Sequence, residues 1–315
     1  MRLIEPHEIR DALPWSELID AIEAMFRLGC EAPLRHHHTL AVPDDAAATL
    51  LLMPAWQPGR YLGVKTVTVF PSNRRRALPA VQGSYQLCSA VTGKPLALLD
   101  GSELTARRTA AASALAAKFL ARPDARHLLM VGTGRLSLNL IEAHCRVRPI
   151  EQVTVWGRRA ERAAEAAERA QRLGVPARST EDLPAACRAA DIVSTATLSH
   201  EPLIRGEWLS SGTHLDLVGG FTPAMREADD DSIRRARVFV DTREGATKEA
   251  GDIVQPLTSG ILREEEIEAD LYDLCRGDHP GRRDSEEITL FKSVGTALED
   301  LAAAILAYEQ TVGAP

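Results

Sequence analysis

Several features that would place a chain in a specialised class are scarce in this sequence. Its five cysteines, at positions 30, 88, 145, 187 and 275, are scattered, and no two of them form a C-x-x-C pair. The sequence therefore offers neither a disulfide framework nor a familiar zinc spacing. We expect reduced, mostly buried thiols. No internal repeat or low-complexity segment stands out.

The sequence also lacks long apolar runs. No stretch approaches the ~18 residues that a membrane-spanning helix needs. The first eight residues are charged where a signal peptide would carry an apolar core, so we expect a cytoplasmic protein without a membrane partner. A net charge of −7 argues against nucleic acid as the main partner.

A length of 315 residues suits two domains better than one. Apolar-alternating runs at residues 50–54, 62–70, 84–91 and 95–99 predict strands, so the N-terminal part reads as α+β with a mostly antiparallel sheet. In the second run Lys65 shares a face with Val67 and Val69. It is either a buried charge or an edge lysine that reaches water along its stem.

The middle of the chain contains a glycine turn between two predicted strands, at residues 127–131 and 153–156. The turn has the spacing G-x-G-x-x-S, with Gly132, Gly134 and Ser137 at the defining positions. A strand, glycine turn, helix and strand within about 30 residues form a dinucleotide-binding unit. Gly134 would let the backbone approach a pyrophosphate at the helix N-terminus, together with Thr133. The alternative is a tight turn in a doubly wound domain without a cofactor.

The residues after the second of these strands bear on the choice of cofactor. A carboxylate that would bind the ribose 2′-hydroxyl is missing, and Gly157, Arg158 and Arg159 stand there instead. Arginine pairs well with a 2′-phosphate. NADP(H) is therefore favoured over NAD(H), the alternative being that both arginines are solvated at a helix start.

Strands and helices continue to alternate after the turn, which predicts a doubly wound parallel sheet. Ligands of such sheets bind at the carboxyl ends of the strands. This expectation places Thr195, Gly219, Gly220 and Phe221 near the cofactor.

Three consecutive histidines, His36 to His38, are the one candidate metal motif. Neighbouring residues of an extended segment point to opposite faces, so they rarely converge on one ion. We therefore expect no metal site.

Stretches along the whole chain together resemble the ornithine cyclodeaminase/mu-crystallin family. The Arg-Thr-Ala, Glu-x-Gly-Asp and Phe-Lys-Ser-x-Gly elements are much more specific than the glycine turn. In chain order the matching stretches are residues 33–35, 63–65 and 104–110, the Gly132 turn, and residues 219–227, 249–252 and 290–300.

The resemblance implies a homodimer and chemistry at the α-carbon of a small amino or imino acid. It implies a substrate-binding and dimerisation domain made from both chain ends, residues 1–118 with 288–315, and a Rossmann NAD(P)-binding domain at residues 119–287. The fold class is therefore α/β, with a doubly wound domain and an α+β domain.

The resemblance also assigns roles by position. Arg35 and Lys65 would bind the substrate carboxylate, Arg108 would lie where cofactor and substrate meet, and Val294 would contact the substrate. Lys65 and Arg108 are the catalytic candidates. Residues that would line the cofactor are Gly132, Thr133, Gly134, Arg135, Leu136, Gly157, Arg158, Arg159, Thr195, Val218, Gly219, Gly220, Phe221 and Ser293.

Three departures from the family pattern bear on the reaction. Phe221 stands where ornithine cyclodeaminases place an acid/base aspartate, Leu136 replaces the usual glutamine, and Gly157 replaces the ribose-binding acid. They favour an imine or ketimine reductase, with Lys65 or a bound water as proton donor and Glu227 and Asp252 as weaker candidates. The alternatives are an ornithine cyclodeaminase, which recycles NAD+, and a catalytically silent nucleotide-binding protein.

Overall fold

The computed structural model describes residues 1–312, apart from the side chain of Arg74. In chain order the strands are β1 (Arg2–Ile4), β2 (His36–Leu40), β3 (Ala48–Trp56), β4 (Tyr61–Val69), β5 (Val81–Ser89), β6 (Pro95–Asp100), β7 (His127–Val131), β8 (Gln152–Trp156), β9 (Ala177–Thr180), β10 (Ile192–Thr195), β11 (His214–Leu217), β12 (Ala236–Val240), β13 (Ile267–Asp270) and β14 (Ile288–Lys292).

The α-helices alternate with these strands over most of the chain. They are α1 (Pro6–Ala12), α2 (Trp15–Leu28), α3 (Gly101–Leu120), α4 (Arg135–Val147), α5 (Ala160–Arg172), α6 (Leu183–Ala189), α7 (Asp230–Arg235), α8 (Arg243–Glu249), α9 (Gly251–Ser259), α10 (Leu271–Arg276) and α11 (Ala297–Val312). None of the helices within residues 1–312 combines the length and the apolar character that a bilayer-spanning helix requires.

The chain forms two compact units. Unit 1 comprises residues 1–108 and, within the described part, 296–312; unit 2 comprises residues 109–295. Helix α3 begins in unit 1 and ends in unit 2.

Unit 1 is built on a six-stranded sheet in the order β1-β6-β5-β4-β3-β2. Strand β1 is parallel to β6, and the other neighbours are antiparallel, as the alternating pattern predicts. Helix α2 buries one apolar face, and α11 is buried along most of its length, including the charged residues Glu299 and Asp300. Charges at such positions need partners within the unit.

Unit 2 is a Rossmann-type domain. Its sheet has the order β13-β12-β14-β11-β10-β7-β8-β9, and every neighbouring pair is parallel. Strands β7, β10 and β11 are buried along almost their whole length, as expected for strands covered on both faces. The order reverses between β7 and β10, which is where a doubly wound sheet opens its ligand crevice. The expected doubly wound fold is confirmed.

Strand β14 changes where the units divide. The sequence placed the boundaries after residues 118 and 287, whereas the compact units divide after residues 108 and 295. Residues 288–292 insert between β11 and β12 and pair with both. Residues 288–295 therefore belong to the Rossmann unit and not to the unit made from the chain ends.

Candidate functional site

Unit 1 contains a buried group of charges around Lys65. The Lys65 Nζ atom lies 2.6 Å from Asp300 Oδ2. The Arg108 guanidinium donates through Nε to Asp300 Oδ1 at 2.9 Å and through Nη1 to Glu299 Oε2 at 2.6 Å. Residues Lys65 and Arg108 are 2% and 5% exposed, so the lysine on the valine face is a buried charge and not an edge lysine.

Burial controls the charge on Lys65. It lowers the pKa of Lys65 to about 8, against the opposing attraction of Asp300. Arg108 and Arg35 lower it further, because two nearby cations disfavour a third. Lys65 therefore exchanges its proton close to neutral pH, which an ordinary lysine does not.

The partners of Lys65 keep their charges. Burial alone would raise the pKa of Asp300, but Arg108 and Lys65 outweigh it and hold that pKa below its usual value. Burial would lower the pKa of Arg108, but Asp300 and Glu299 outweigh it and raise that pKa.

Arg35 is half-buried, and its charge lowers the pKa of both Lys65 and Asp300. We call these five residues, Arg35, Lys65, Arg108, Glu299 and Asp300, the Lys65 cluster. Its three cationic side chains, two of them guanidinium groups, are suited to binding a carboxylate.

Gly63 makes room for a tyrosine beside the cluster. A Cβ atom at Gly63 would lie 1.9 Å from the Tyr85 hydroxyl. Tyr85 is fully buried, is the cross-strand neighbour of Lys65, and its hydroxyl makes no hydrogen bond within the described residues. In the Gly-Val-Lys sequence at residues 63–65, the glycine is therefore needed for packing and the lysine supplies the charge.

We expect Gly63→Ala to destabilise the protein by about 2 kcal/mol or more, because the added methyl group overlaps the Tyr85 ring. Tyr85→Phe should be neutral or slightly stabilising, since it removes a buried hydroxyl that lacks a hydrogen bond. Urea unfolding of both variants measures the difference. A Gly63→Ala variant as stable as the unmodified protein would contradict this packing.

Unit 2 contains the glycine turn between β7 and α4. Gly132 has φ +123°, and a Cβ atom there would lie 2.6 Å from the Ala196 carbonyl oxygen, so only glycine fits. Gly134 is different, because a Cβ atom there would meet no heavy atom within 4 Å. Gly134 is also the N-cap of α4, so no N-cap side chain occupies the first N–H groups of this helix. The backbone N–H groups of this helix start are suited to an anion.

A cavity of about 570 Å³ opens at this turn. Such a volume is in the range of ligand pockets. Six of the residues predicted to contact the cofactor line it, and so do residues of the loop after β10. The lining residues are Gly132, Thr133, Gly134, Trp156, Gly157, Arg158, Arg159, Ala196, Thr197, Leu198, Ser199 and Leu203.

Steric crowding favours glycine at position 157. A Cβ atom there would lie 2.7 Å from Thr133 Cγ2. Arg158 and Arg159 are exposed at the cavity, and Arg159 is the N-cap of α5. This end of the cavity is therefore cationic, and no carboxylate is among its lining residues.

The other predicted cofactor residues lie outside the cavity lining. Arg135 and Leu136 form the first turn of α4. Thr195, Val218, Gly219 and Gly220 are buried at the carboxyl ends of β10 and β11, and the Thr195 hydroxyl donates to Glu227 Oε2.

Phe221, Ser293 and Val294 also lie outside the cavity lining. Phe221 is 47% exposed, so a large apolar side chain faces outward where the cyclodeaminase aspartate would be. Ser293 and Val294 are buried, and the backbone N–H of Val294 and that of Gly295 donate to Asp241 Oδ2 at 2.7 and 2.6 Å.

Sequence reasoning missed several participants. The loop 196–199 is absent from the predicted cofactor contacts, although it forms a wall of the cavity. Glu299 and Asp300 fall within one of the matching family stretches but are absent from the predicted site residues. Glu227 and Asp252, the weaker proton-donor candidates, are fully buried and hydrogen-bonded within unit 2. For Glu299 and Asp300, the signal available in the sequence was a pair of charged residues within an otherwise apolar segment.

The three histidines lie on the edge strand β2 and are exposed. His36 and His38 share a face, with ring centroids 6.5 Å apart. Within the described residues, no three His, Cys, Asp or Glu side chains are placed to hold a metal ion.

The fold and the turn define unit 2 as a dinucleotide-binding Rossmann domain. The sequence model of the ornithine cyclodeaminase/mu-crystallin family matches residues 3–314. The chain belongs to that family.

Relatives of known activity are similar along nearly the whole chain. The Δ1-pyrroline-2-carboxylate reductase of Paracoccus denitrificans is 41% identical over 290 residues, 90% of this chain and 89% of that protein. The Thermococcus litoralis reductase of the same name, solved with NADH and L-proline, is 34% identical with a TM-score of 0.92, covering 99% of this chain and 98% of that one. An archaeal alanine dehydrogenase dimer with bound NAD is 30% identical with a TM-score of 0.89, covering 99% and 96%.

Proposed function

We propose that this chain is a nicotinamide-dependent imine reductase that acts on a small imino acid, with Δ1-pyrroline-2-carboxylate as the first substrate to test. The observation that carries the proposal is the Lys65 cluster. It combines three cationic side chains that can attract a substrate carboxylate with a lysine whose pKa of about 8 suits proton transfer. The similar reductases are named for Δ1-pyrroline-2-carboxylate, which is a small imino acid.

The proposed roles follow from the chemistry of each side chain. Arg35 and Arg108 hold the substrate carboxylate, since a guanidinium offers paired donors to a carboxylate. Lys65 contributes to the same attraction and supplies the proton that the imine nitrogen gains. The reduced nicotinamide supplies the hydride that the α-carbon gains. Imine, reduced dinucleotide and one proton thus give amino acid and oxidised dinucleotide.

The cavity of unit 2 supports a dinucleotide as the cofactor. Gly134 leaves open space at the start of α4, where a pyrophosphate would meet backbone N–H groups. The similar structures solved with NADH or NAD support a nicotinamide dinucleotide. We further propose that NADP(H) is preferred over NAD(H), because Arg158 and Arg159 can pair with a 2′-phosphate and Gly157 leaves no acid to repel it.

The cofactor preference gives a direct prediction. We expect the double variant Arg158→Gln with Arg159→Gln to raise the KM for NADPH by about 10- to 100-fold, the value of one or two charge-assisted hydrogen bonds. The KM for NADH should change little. Steady-state kinetics with both dinucleotides is the measurement. An equal rise in the KM for NADPH and for NADH, or an unmodified protein that favours NADH, would contradict the preference.

We also propose an oligomeric state and a separate binding role for each unit. Unit 1 binds the substrate and forms a homodimer, and unit 2 binds the nucleotide. The dimer described for the similar alanine dehydrogenase supports the assembly. Light scattering coupled to size exclusion should give twice the mass of one chain, and a single-chain mass would refute it.

The decisive assay compares two substrates. Purified protein is mixed with NADPH or NADH and either Δ1-pyrroline-2-carboxylate or ornithine. We expect oxidation of the reduced dinucleotide with the imine and formation of proline. Ammonia and proline from ornithine with catalytic NAD+ would instead identify a cyclodeaminase, and the exposed phenyl ring of Phe221 argues against that outcome. Tight nucleotide binding without turnover of any substrate would indicate a nucleotide-binding protein that is catalytically silent.

A further inference from the structure

Glu227 lies at the centre of a buried network in unit 2. Its side chain is fully buried. Oε2 accepts a hydrogen bond from the Thr195 hydroxyl at 2.8 Å. Oε1 accepts one from the Thr197 backbone N–H at 2.7 Å and one from the Thr197 hydroxyl at 2.7 Å. Three donors on one carboxyl group favour its ionised form.

Two further charges complete this network. Asp252 Oδ1 accepts the backbone N–H groups of Glu227 and Ala228 at 2.8 and 3.1 Å. Lys292 Nζ lies 3.1 Å from Asp252 Oδ2 and donates to the Gly219 carbonyl oxygen. All three charged side chains are fully buried. We call Thr195, Thr197, Glu227, Asp252 and Lys292 the Glu227 network.

The glycine pair after β11 lies directly against the network. A Cβ atom at Gly219 would lie 2.5 Å from Glu227 Oε1, and one at Gly220 would lie 2.6 Å from Asp252 Oδ2. Gly220 also has φ +64°, a conformation that favours glycine. Contacts within the protein, those with the two buried carboxylates among them, therefore favour glycine at both positions, whatever the pair does for a ligand.

The network reaches the nucleotide cavity through Thr197. Thr197 lines the cavity, together with Ala196, Leu198 and Ser199. Two of the three hydrogen bonds that the Glu227 carboxylate accepts come from Thr197. The carboxylate thus fixes one wall of the cavity from behind, without itself being exposed.

We propose that Glu227 is a positioning residue for nucleotide binding, which acts by holding Thr197 and the loop 196–199 in the arrangement that the nucleotide needs. The inference rests on the proposed function only in taking this cavity as the nucleotide site.

The charges around Glu227 make this role sensitive to pH. The charged groups that face it are Lys292 from β14 and Asp252 from the first turn of α9; the other facing groups are the hydroxyls of Thr195 and Thr197. Arg226 next to it is paired with Asp230. Burial raises the pKa of Glu227 to about 7, with Asp252 adding to the rise and Lys292 opposing it.

Protonation therefore converts Glu227 from an acceptor of three hydrogen bonds into a group that must also donate one. A protonated carboxyl is a weaker acceptor than a carboxylate for the N–H and the hydroxyl of Thr197, so it holds the loop less firmly. The ionised form of Glu227 is present above about pH 7, so the nucleotide should bind more tightly there than in acid.

The test measures NADH binding by fluorescence for the full-length protein and for Glu227→Gln. NADH is the better probe because the 2′-phosphate of NADPH would itself titrate near pH 6. We expect the Kd of the unmodified protein to rise about fivefold from about pH 8 to about pH 6, the value of one hydrogen bond. Glu227→Gln, which resembles the protonated form, should show the weaker Kd at both pH values.

Glu207→Gln is the matched control, since Glu207 is an exposed carboxylate of the same unit that faces Arg205 at 3.9 Å. It should keep the pH profile of the unmodified protein. A Glu227→Gln variant with that same profile would overturn the inference. If Glu227→Gln does not fold, Thr197→Val carries the test: it removes one of the donors and should weaken NADH binding with a shallower pH profile, and an unchanged Kd and profile would overturn the inference.

The failure of this inference can be told from that of the proposed function. An unmodified protein that binds NADH with no dependence on pH overturns the role of Glu227 alone. An unmodified protein that binds no NADH overturns both. Binding is measured without turnover, so an incorrect choice of imine does not affect the result.

Discussion

Replacing Lys65 by methionine is expected to lower kcat/KM for imine reduction by about 10²- to 10³-fold, because the variant loses both a cation for the carboxylate and the proposed proton donor. Methionine nearly matches the lysine stem in length, and Asp300 keeps its hydrogen bond from Arg108, so the fold should persist. NADH affinity should not change, since Lys65 is not among the residues that line the nucleotide cavity.

Lys65→Arg separates the two roles of the lysine. It retains a positive charge but cannot release a proton at ordinary pH. We expect it to recover part of the substrate affinity and little of kcat. Activity of Lys65→Met within about threefold of the unmodified enzyme would contradict a catalytic Lys65, given that general acid catalysis is usually worth about 10²-fold or more.

The pH profile of the enzyme should report the same group. Because burial lowers the pKa of Lys65 to about 8, the ammonium form is present below that pH and is lost above it. The kcat/KM for reduction should therefore decrease about tenfold per unit above pH 8, whereas oxidation of the amino acid should gain. Lys65→Arg should lack this limb. A profile of the unmodified enzyme that is level to about pH 10, the range of an ordinary lysine, would contradict the assignment.

Gly134→Val is expected to abolish nucleotide binding without loss of stability. A Cβ atom at Gly134 would meet no protein atom within 4 Å, so the new side chain starts in open space. That side chain would occupy the space at the start of α4 that a pyrophosphate needs. We expect the Kd for NADPH to rise by about 100-fold or more, because charge-assisted hydrogen bonds to the phosphates would be lost. Fluorescence titration and thermal unfolding measure the two properties.

Gly132→Ala is the matched control in the same turn. Its Cβ atom would overlap the Ala196 carbonyl group, and φ +123° is strained for alanine. We expect a clear loss of stability, in contrast to Gly134→Val. If Gly134→Val bound NADPH normally, this turn would not be the pyrophosphate site.

The predictable parts of this molecule are those that local sequence determines. The glycine turn is one example, because a strand, a Gly-x-Gly and an apolar-periodic helix follow each other within one short segment. The face of α2 is another, since its five buried apolar residues fall at helical spacing. Each feature needs only neighbours in the chain to be recognised.

The less predictable parts depend on contacts between distant residues. The pattern around Lys65 left burial and exposure equally open, and Asp300, which lies far along the chain on α11, decides between them. Strand β14 looked like part of the terminal domain, yet it inserts between β11 and β12. No local pattern indicates which strands a short apolar segment will pair with.

The same limit applies to the Glu227 network. Glu227, Asp252 and Lys292 each lie in a separate family motif, and their sequence positions say nothing of a shared buried site. The sequence pattern explains Gly219 and Gly220 only by their proximity to a cofactor. The carboxylates packed against them give a reason internal to the protein.

The most direct measurement follows a deuterium label placed at C4 of the nicotinamide, with each face labelled separately, during reduction of Δ1-pyrroline-2-carboxylate. The account predicts that the label from one face appears at the α-carbon of the proline product, and that Lys65→Met forms almost none of it. Absence of proline, or proline without the label from either face, would contradict hydride transfer to the imine carbon.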